Sequence, residues 1–232
     1  MTSPPVPASD HAALAAAAAG WRCAYVHIPF CRRRCPYCDF AVVAEGEAAG
    51  PDPEERYLEA VRAEIGMEEP WGPLDAVAFG GGTPSTLGVE LLASLLDAIG
   101  RQHGLAPGAE VGIEVNPEDW SDRYGDELLA AGFTRLSFGV QSFDHAVLMA
   151  LGRLHTPDQG AQAVVSARRL GFHSVNVDLI FGAPVETPRS WEETVDRALA
   201  LETDHISAYA LTVERGTELS RQVAAGAPRS PG

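Results

Sequence analysis

Cys31, Cys35 and Cys38 sit together in the string YVHIPFCRRRCPYCDF, residues 25–40, and make up three of the four cysteines in a chain of 232 residues. The spacing Cys-x3-Cys-x2-Cys is one thiol short of a tetrahedral zinc site, which draws cysteines in C-x2–4-C pairs and needs four ligands. Three is also an odd number for disulfides. Three soft, anionic donors on one loop can instead hold three irons of a [4Fe–4S] cube. The fourth iron then lacks a protein ligand and can chelate a small molecule. Two blander readings stand beside this one: structural zinc completed by His27, or three free thiols. His27 lies in a strand candidate four residues before Cys31 and is expected to pack or hydrogen-bond locally. Cys23, inside the same strand, reads as a small buried hydrophobe.

Elements that alternate along the chain must position these thiols. Strand candidates fall at residues 23–28, 75–79, 111–115, 135–139, 174–179 and 205–210. Helix candidates fall between them, near 54–66, 89–101, 122–131, 158–170 and 191–201. Thr156-Pro157-Asp158-Gln159 offers an N-cap, a proline at the first helical position and a capping-box glutamine, and Ser190-Trp191-Glu192-Glu193 reads as a second box. Gly132 and Gly171 follow helical runs, where a left-handed C-cap wants glycine. Strands alternating with helices imply right-handed βαβ units, a parallel sheet and an α/β fold. Six units fit an open sheet or an incomplete (β/α)6 TIM-like barrel, and in either form functional groups gather at the carboxyl ends of the strands. The unusual residues do follow the strands: the cysteines, Gly80-Gly81-Gly82-Thr83-Pro84, Glu114-Val115-Asn116-Pro117, Gly139-Val140-Gln141-Ser142, Asp178 before Phe181-Gly182-Ala183-Pro184, and Tyr209-Ala210.

Composition narrows the class. The formal net charge is −15 and there is no lysine, so the chain is a poor general binder of nucleic acid, which needs clustered cations against phosphate. No run approaches the ~20 apolar residues of a membrane span. The apolar run at residues 12–19 has no Lys or Arg before it, unlike a secretory signal. A cytoplasmic protein is expected, with reduced thiols suited to metal or redox chemistry. Residues 1–20 read as a loose Pro/Ala-rich leader and 21–219 as the core domain. Residues 220–232 read as a loose tail, at which the core is cut short before a further C-terminal domain.

C-x3-C-x-aromatic-C resembles the signature of the radical S-adenosylmethionine superfamily. The longer string resembles a narrower group within it, the oxygen-independent coproporphyrinogen III dehydrogenases and the related heme chaperones of the HemW type. FGGGTPS, IEVNPE, RLSFGVQSFD, LGRLHT, NVDLIFGAP and HISAYALTVERGTEL agree with that group in order, from Trp21 to Leu219.

The resemblance implies a radical SAM barrel in which Cys31, Cys35 and Cys38 ligate a [4Fe–4S] cluster and the methionine moiety of S-adenosylmethionine takes the open iron. It implies that Tyr25 contacts the cofactor beside the cluster. It also implies that Gly81, Gly82 and Thr83 meet the methionine amino group through backbone, where a Cβ would block approach. Glu114 is implied as the partner of the ribose hydroxyls. Gln141, Arg153 and Asp178 match further cofactor-contacting positions. Read alone, the triple glycine is a tight turn or a phosphate loop. The absent G-K-[ST] ending speaks against the second. Glu114 alone is a structural charge, and Arg153 a cap on the helix before it. His155, His173 and His205 show no metal spacing and receive no role.

The implied chemistry is reductive cleavage of S-adenosylmethionine to methionine and a 5′-deoxyadenosyl radical, with an electron donor as partner. Two readings of the group diverge after Cys38. The dehydrogenases carry a fourth cysteine two positions on, where this chain has Asp39-Phe40. That favours the heme chaperones, whose partners are heme and a heme-accepting protein. Their H-N-x-x-Y-W motif follows the barrel and does not occur here, so the heme site is expected outside this chain.

Overall fold

The computed structural model describes residues 20–48 and 50–226. The expected leader lies outside them up to residue 19, as does the tail from residue 227. The elements, in order, begin with β1 (Cys23–Ile28), β2 (Phe30–Cys31), β3 (Val43–Ala44), α1 (Pro53–Met67), β4 (Leu74–Gly81), α2 (Val89–His103), β5 (Leu105–Val115) and α3 (Asp122–Ala130). They continue with β6 (Arg135–Gln141), α4 (His145–Ala150), α5 (Pro157–Leu170), β7 (Ser174–Phe181), α6 (Pro188–Ala200), β8 (His205–Ala210) and α7 (Glu218–Ala224). Six strands form one parallel sheet in the order β1-β4-β5-β6-β7-β8. The two ends of the sheet do not pair, so the barrel expected from the sequence is present in incomplete form. None of the described helices is long and apolar enough to cross a membrane.

Strand periodicity separates the core from the site. Successive side chains point to opposite faces of a strand. Val111, Ile113 and Val115 of β5, Leu136, Phe138 and Val140 of β6, and Val175, Val177 and Leu179 of β7 are all buried in the core. Trp120 packs edge-on against Phe138 at 5.1 Å between ring centroids, and its indole N–H donates to Ser166 of α5 at 3.1 Å. The alternate positions are small or polar: Ala78, Gly112, Glu114, Ser137, Asn176 and Asp178 line the open side of the sheet. Such a sheet keeps its stabilising contacts on one face and its chemistry on the other.

Local signals explain the ends of several elements and correct some expectations. Thr156 and Gln159 form the expected capping box at α5. The box expected at Ser190 starts one turn earlier. Thr187 is the N-cap, its hydroxyl accepts the Ser190 N–H, and Pro188 is pre-set for the first helical position. β5 begins at Leu105 rather than 111, because a bulge absorbs Pro107 and Gly108 (φ 77°) between the pairs Leu74–Leu105 and Ala76–Glu110. The tail expected to be loose from Ser220 begins as α7. Thr217 caps it, Leu219 is buried, and the Leu219 N–H donates to the Pro36 carbonyl at 2.7 Å. Cys23 is exposed, not buried, because β1 is an edge strand and Cys23 is its first residue.

Phe138 joins sheet, Trp120 and core. Replacing it with Ala is expected to cost about 3–5 kcal/mol of unfolding free energy. Urea denaturation of the two proteins measures this; a loss under ~1 kcal/mol would show the core to be soft there.

Candidate functional site

The cysteine loop leaves β1 through Pro29 and is closed at its base by a two-strand ladder. The Val43 N–H donates to Pro29 O (2.8 Å) and the Glu45 N–H to Cys31 O (2.9 Å). Two of its arginines, Arg32 and Arg34, are anchored at their ends. Arg32 pairs with Asp119, which also accepts the Ser85 hydroxyl, and Arg34 donates to Val42 O and Glu47. Tyr37, between Cys35 and Cys38, packs on a separate apolar cluster of Val147, Leu151, Ile180 and Ala183. Burial pushes its phenol well above the ordinary range.

The β4 turn meets this loop at very close range. The Gly82 N–H donates to Ile28 O (2.8 Å) and the Thr83 N–H to Phe30 O (2.7 Å). A Cβ on Gly82 would lie 2.7 Å from backbone atoms of Pro29 and Phe30; on Gly81 (φ 109°), 2.3 Å from the His27 ring; on Gly80, 2.6 Å from the Glu114 carboxylate. The Gly81 N–H donates to Glu114 at 3.2 Å. The amide hydrogens of the turn are therefore spent within the protein, and a ligand that reaches it meets carbonyl acceptors.

All three thiols line one cavity of about 160 Å3, together with Gly81, Gly82, Thr83, Glu114, Gln141, Arg153 and Asp178. A wider trough of about 640 Å3 shares Tyr37, Phe40, Glu114, Ser137, Gln141 and Asp178 with it. Burial raises the Cys31 and Cys38 thiols above their ordinary range, so the bare loop favours neutral sulfur. Two sulfurs already accept hydrogen bonds, Cys31 from the Thr83 hydroxyl (3.4 Å) and Cys35 from an Arg153 Nη (3.8 Å). Arg153 does not cap the helix before it. Its other Nη donates to Gly139 O (2.8 Å) and to Asn116, while its buried Nε has no partner. Burial and the nearby Asp178 raise the Glu114 carboxyl. Asp178 accepts from Ser137 (2.6 Å) and Asn176 (2.9 Å).

Gln141 is held in the left-handed region at φ 66° by a bulge in the β6–β7 pairing between Phe138 and Gln141. Bulges beside functional sites re-aim side chains in this way.

The sequence assigns no role to Asn116, Tyr37, Glu118 or His155, yet the first three line the cavity and His155 bonds to Glu118 from beneath it. Tyr25 stands apart from the others. It is 60% exposed, does not line the thiol cavity, and its hydroxyl lies 3.4 Å from His27 Nδ1. The His27 Nε2 bonds to Ala41 O at 2.9 Å. Among the described residues no group of three or more His, Cys, Asp or Glu is set to hold a single metal ion.

The radical SAM superfamily profile matches residues 25–198. The heme chaperone HemW of Mycobacterium tuberculosis is 44% identical over 212 residues, which cover 89% of this chain and 54% of that protein. HemW of Bacillus subtilis is 38% identical over 200 residues, covering 84% and 51%. The solved coproporphyrinogen III oxidase HemN of Escherichia coli, a radical SAM enzyme, superposes with a TM-score of 0.75 at 27% identity, over 88% of this chain and 52% of that one. The chain spans about half the length of these relatives. Thiol loop, glycine turn, six-stranded parallel sheet and profile agree: the chain belongs to the radical SAM superfamily, and its similarities within it lie with the coproporphyrinogen oxidase-like proteins of the heme chaperone branch.

Proposed function

We propose that this chain is the cluster- and S-adenosylmethionine-binding core of a heme chaperone, a protein that takes up heme and passes it to an acceptor protein. Three features of the bare site fit those two cofactors. Three thiols face one cavity although burial disfavours the charge of Cys31 and Cys38 there, a mismatch that a cationic iron cluster offsets. The Arg153 Nε is buried without a partner beside Cys35. Gln141 carries backbone strain, while its amide makes no hydrogen bond to another described residue.

In this reading Cys31, Cys35 and Cys38 hold the cluster. Carbonyls of the Gly81–Thr83 turn take the cofactor's ammonium, Arg153 its carboxylate, and Glu114 its ribose hydroxyls. Gln141 and Asp178 complete the wall, and Tyr25 at the rim closes over the bound cofactor. When bound, the cluster supplies one electron to S-adenosylmethionine from an external donor. The protein's part is to orient the cofactor and keep water out.

Phe40 carries the choice of chaperone over dehydrogenase. It stands where the dehydrogenases resembled here have a fourth cysteine, is 62% exposed, and lines both the thiol cavity and the trough. A phenyl ring there offers an apolar surface and no thiol for redox or proton chemistry. The heme site itself is assigned to the part of the heme chaperone relatives' length that this chain does not span.

Two outcomes are expected. Reconstituted protein with reductant, S-adenosylmethionine and coproporphyrinogen III yields no protoporphyrinogen IX by chromatography; its formation would transfer the chain to the dehydrogenases. Gln141→Gly and Gln141→Ala both weaken S-adenosylmethionine binding by about tenfold, the worth of one good hydrogen bond. The glycine variant is the more stable by about 1 kcal/mol, because it alone relaxes the left-handed backbone. Calorimetry and urea unfolding read the pair, and unchanged affinity in both would remove Gln141 from the site.

A further inference from the structure

His155 received no role from its sequence, yet its ring is fully buried. Nε2 lies 3.0 Å from the Val140 carbonyl and Nδ1 3.1 Å from a Glu118 carboxylate oxygen. A carbonyl oxygen only accepts, so Nε2 carries a proton. The Glu118 side chain is itself 86% buried and sits in the field of Arg153. Burial works against its charge, but the hydrogen bond from His155 and the positive charge of Arg153 hold it below the ordinary carboxylate range. The Nδ1–Glu118 contact holds one proton between the two groups, and on Nδ1 that proton makes an imidazolium–carboxylate pair. Arg153 approaches Glu118 electrostatically without forming an ion pair with it, and spends its guanidinium on Asn116, Gly139 O and the Cys35 sulfur.

We infer that His155 is a positioning residue: as a buried imidazolium it neutralises Glu118, and so keeps the Arg153 charge and hydrogen bond directed at the Cys35 sulfur. The groups facing the imidazole are Glu118 at Nδ1 and the Val140 carbonyl at Nε2, and Arg153 acts on Glu118 through its charge. Arg153, His155 and Glu118 together place one net positive charge beside Cys35. Without the imidazolium, Glu118 competes for Arg153 and that charge is cancelled. Charge and hydrogen bonds to cluster sulfurs set the reduction potential of an iron–sulfur centre. His155 thus tunes how readily the centre accepts an electron, without touching it. The inference rests on the cluster assignment proposed above.

The experiment has two arms. In the cluster-free chain, 15N-histidine NMR at neutral pH is expected to show both His155 nitrogens protonated. A single neutral tautomer overturns the inference whatever the cluster does, so this arm fails independently of the cluster reading. In the reconstituted protein, redox titration followed by EPR compares wild type, His155→Gln, and His155→Gln with Glu118→Gln. The single variant is expected to shift the reduction equilibrium about tenfold toward the oxidised form, ~59 mV for one electron. The double variant returns close to wild type, because removing both charges restores the net charge. An unshifted single variant, or a double variant displaced as far as the single, assigns His155 to packing alone.

Discussion

The contact on which the site depends is the approach of the β4 turn to the cysteine loop. Gly82 and Thr83 donate their amides to Ile28 and Phe30, and this fixes the start of the loop against the sheet end. Nothing larger than hydrogen fits on Gly82, where the obstacle is backbone of Pro29 and Phe30 and cannot swing aside as a side chain would. Thiols spread over eight positions of a free loop would each sample their own conformations. Here the loop is held at its base by the short β2–β3 ladder, at its flank by Arg32 and Asp119, and at Pro36 by the Leu219 amide. Rigid placement of this kind is what a preorganised site requires, since ordering the loop on binding would consume affinity.

Charge is handled with the same economy. The chain carries a net −15, and the cavity holds Glu114 and Asp178 near three potential thiolates. A buried carboxylate beside another is costly, and the raised Glu114 shows that cost. Arg153 is the buried cation of the cavity wall, which Arg32, Arg33 and Arg34 of the loop also line, and it is fastened by Asn116 and the Gly139 carbonyl instead of by an acid. An acidic partner would consume its charge, which the Cys35 sulfur can otherwise use. The β6 bulge serves the same site from the backbone side by turning Gln141 inward.

The sequence discloses the fold because two periodicities coincide. Apolar residues alternate along the second half of β5 and along β6, and the residues between them include Gly112, Glu114, Ser137, Gly139 and Gln141. Strand-end placement alone therefore gathers Gly81, Glu114, Gln141 and Asp178 on one wall, as expected from the sequence. What it conceals depends on distance in the chain. His155 meets Glu118 across 37 residues and Arg153 meets Cys35 across 118, and no local pattern encodes either contact. Cys23 looks buried from its strand and is exposed because that strand is an edge. Thr187 is hidden as a cap behind the more familiar Ser-x-x-Glu pattern, and only Pro188 signals the earlier start.

The central claim is that three thiols leave one iron open for S-adenosylmethionine. EPR of the anaerobically reconstituted, reduced chain, with and without S-adenosylmethionine labelled with 15N in its amino group and 17O in its carboxylate, tests this directly. The account predicts a [4Fe–4S]+ signal that changes on addition of the cofactor and acquires hyperfine coupling from both labels. A signal indifferent to the cofactor, or a chain that binds stoichiometric zinc in place of iron, would contradict it.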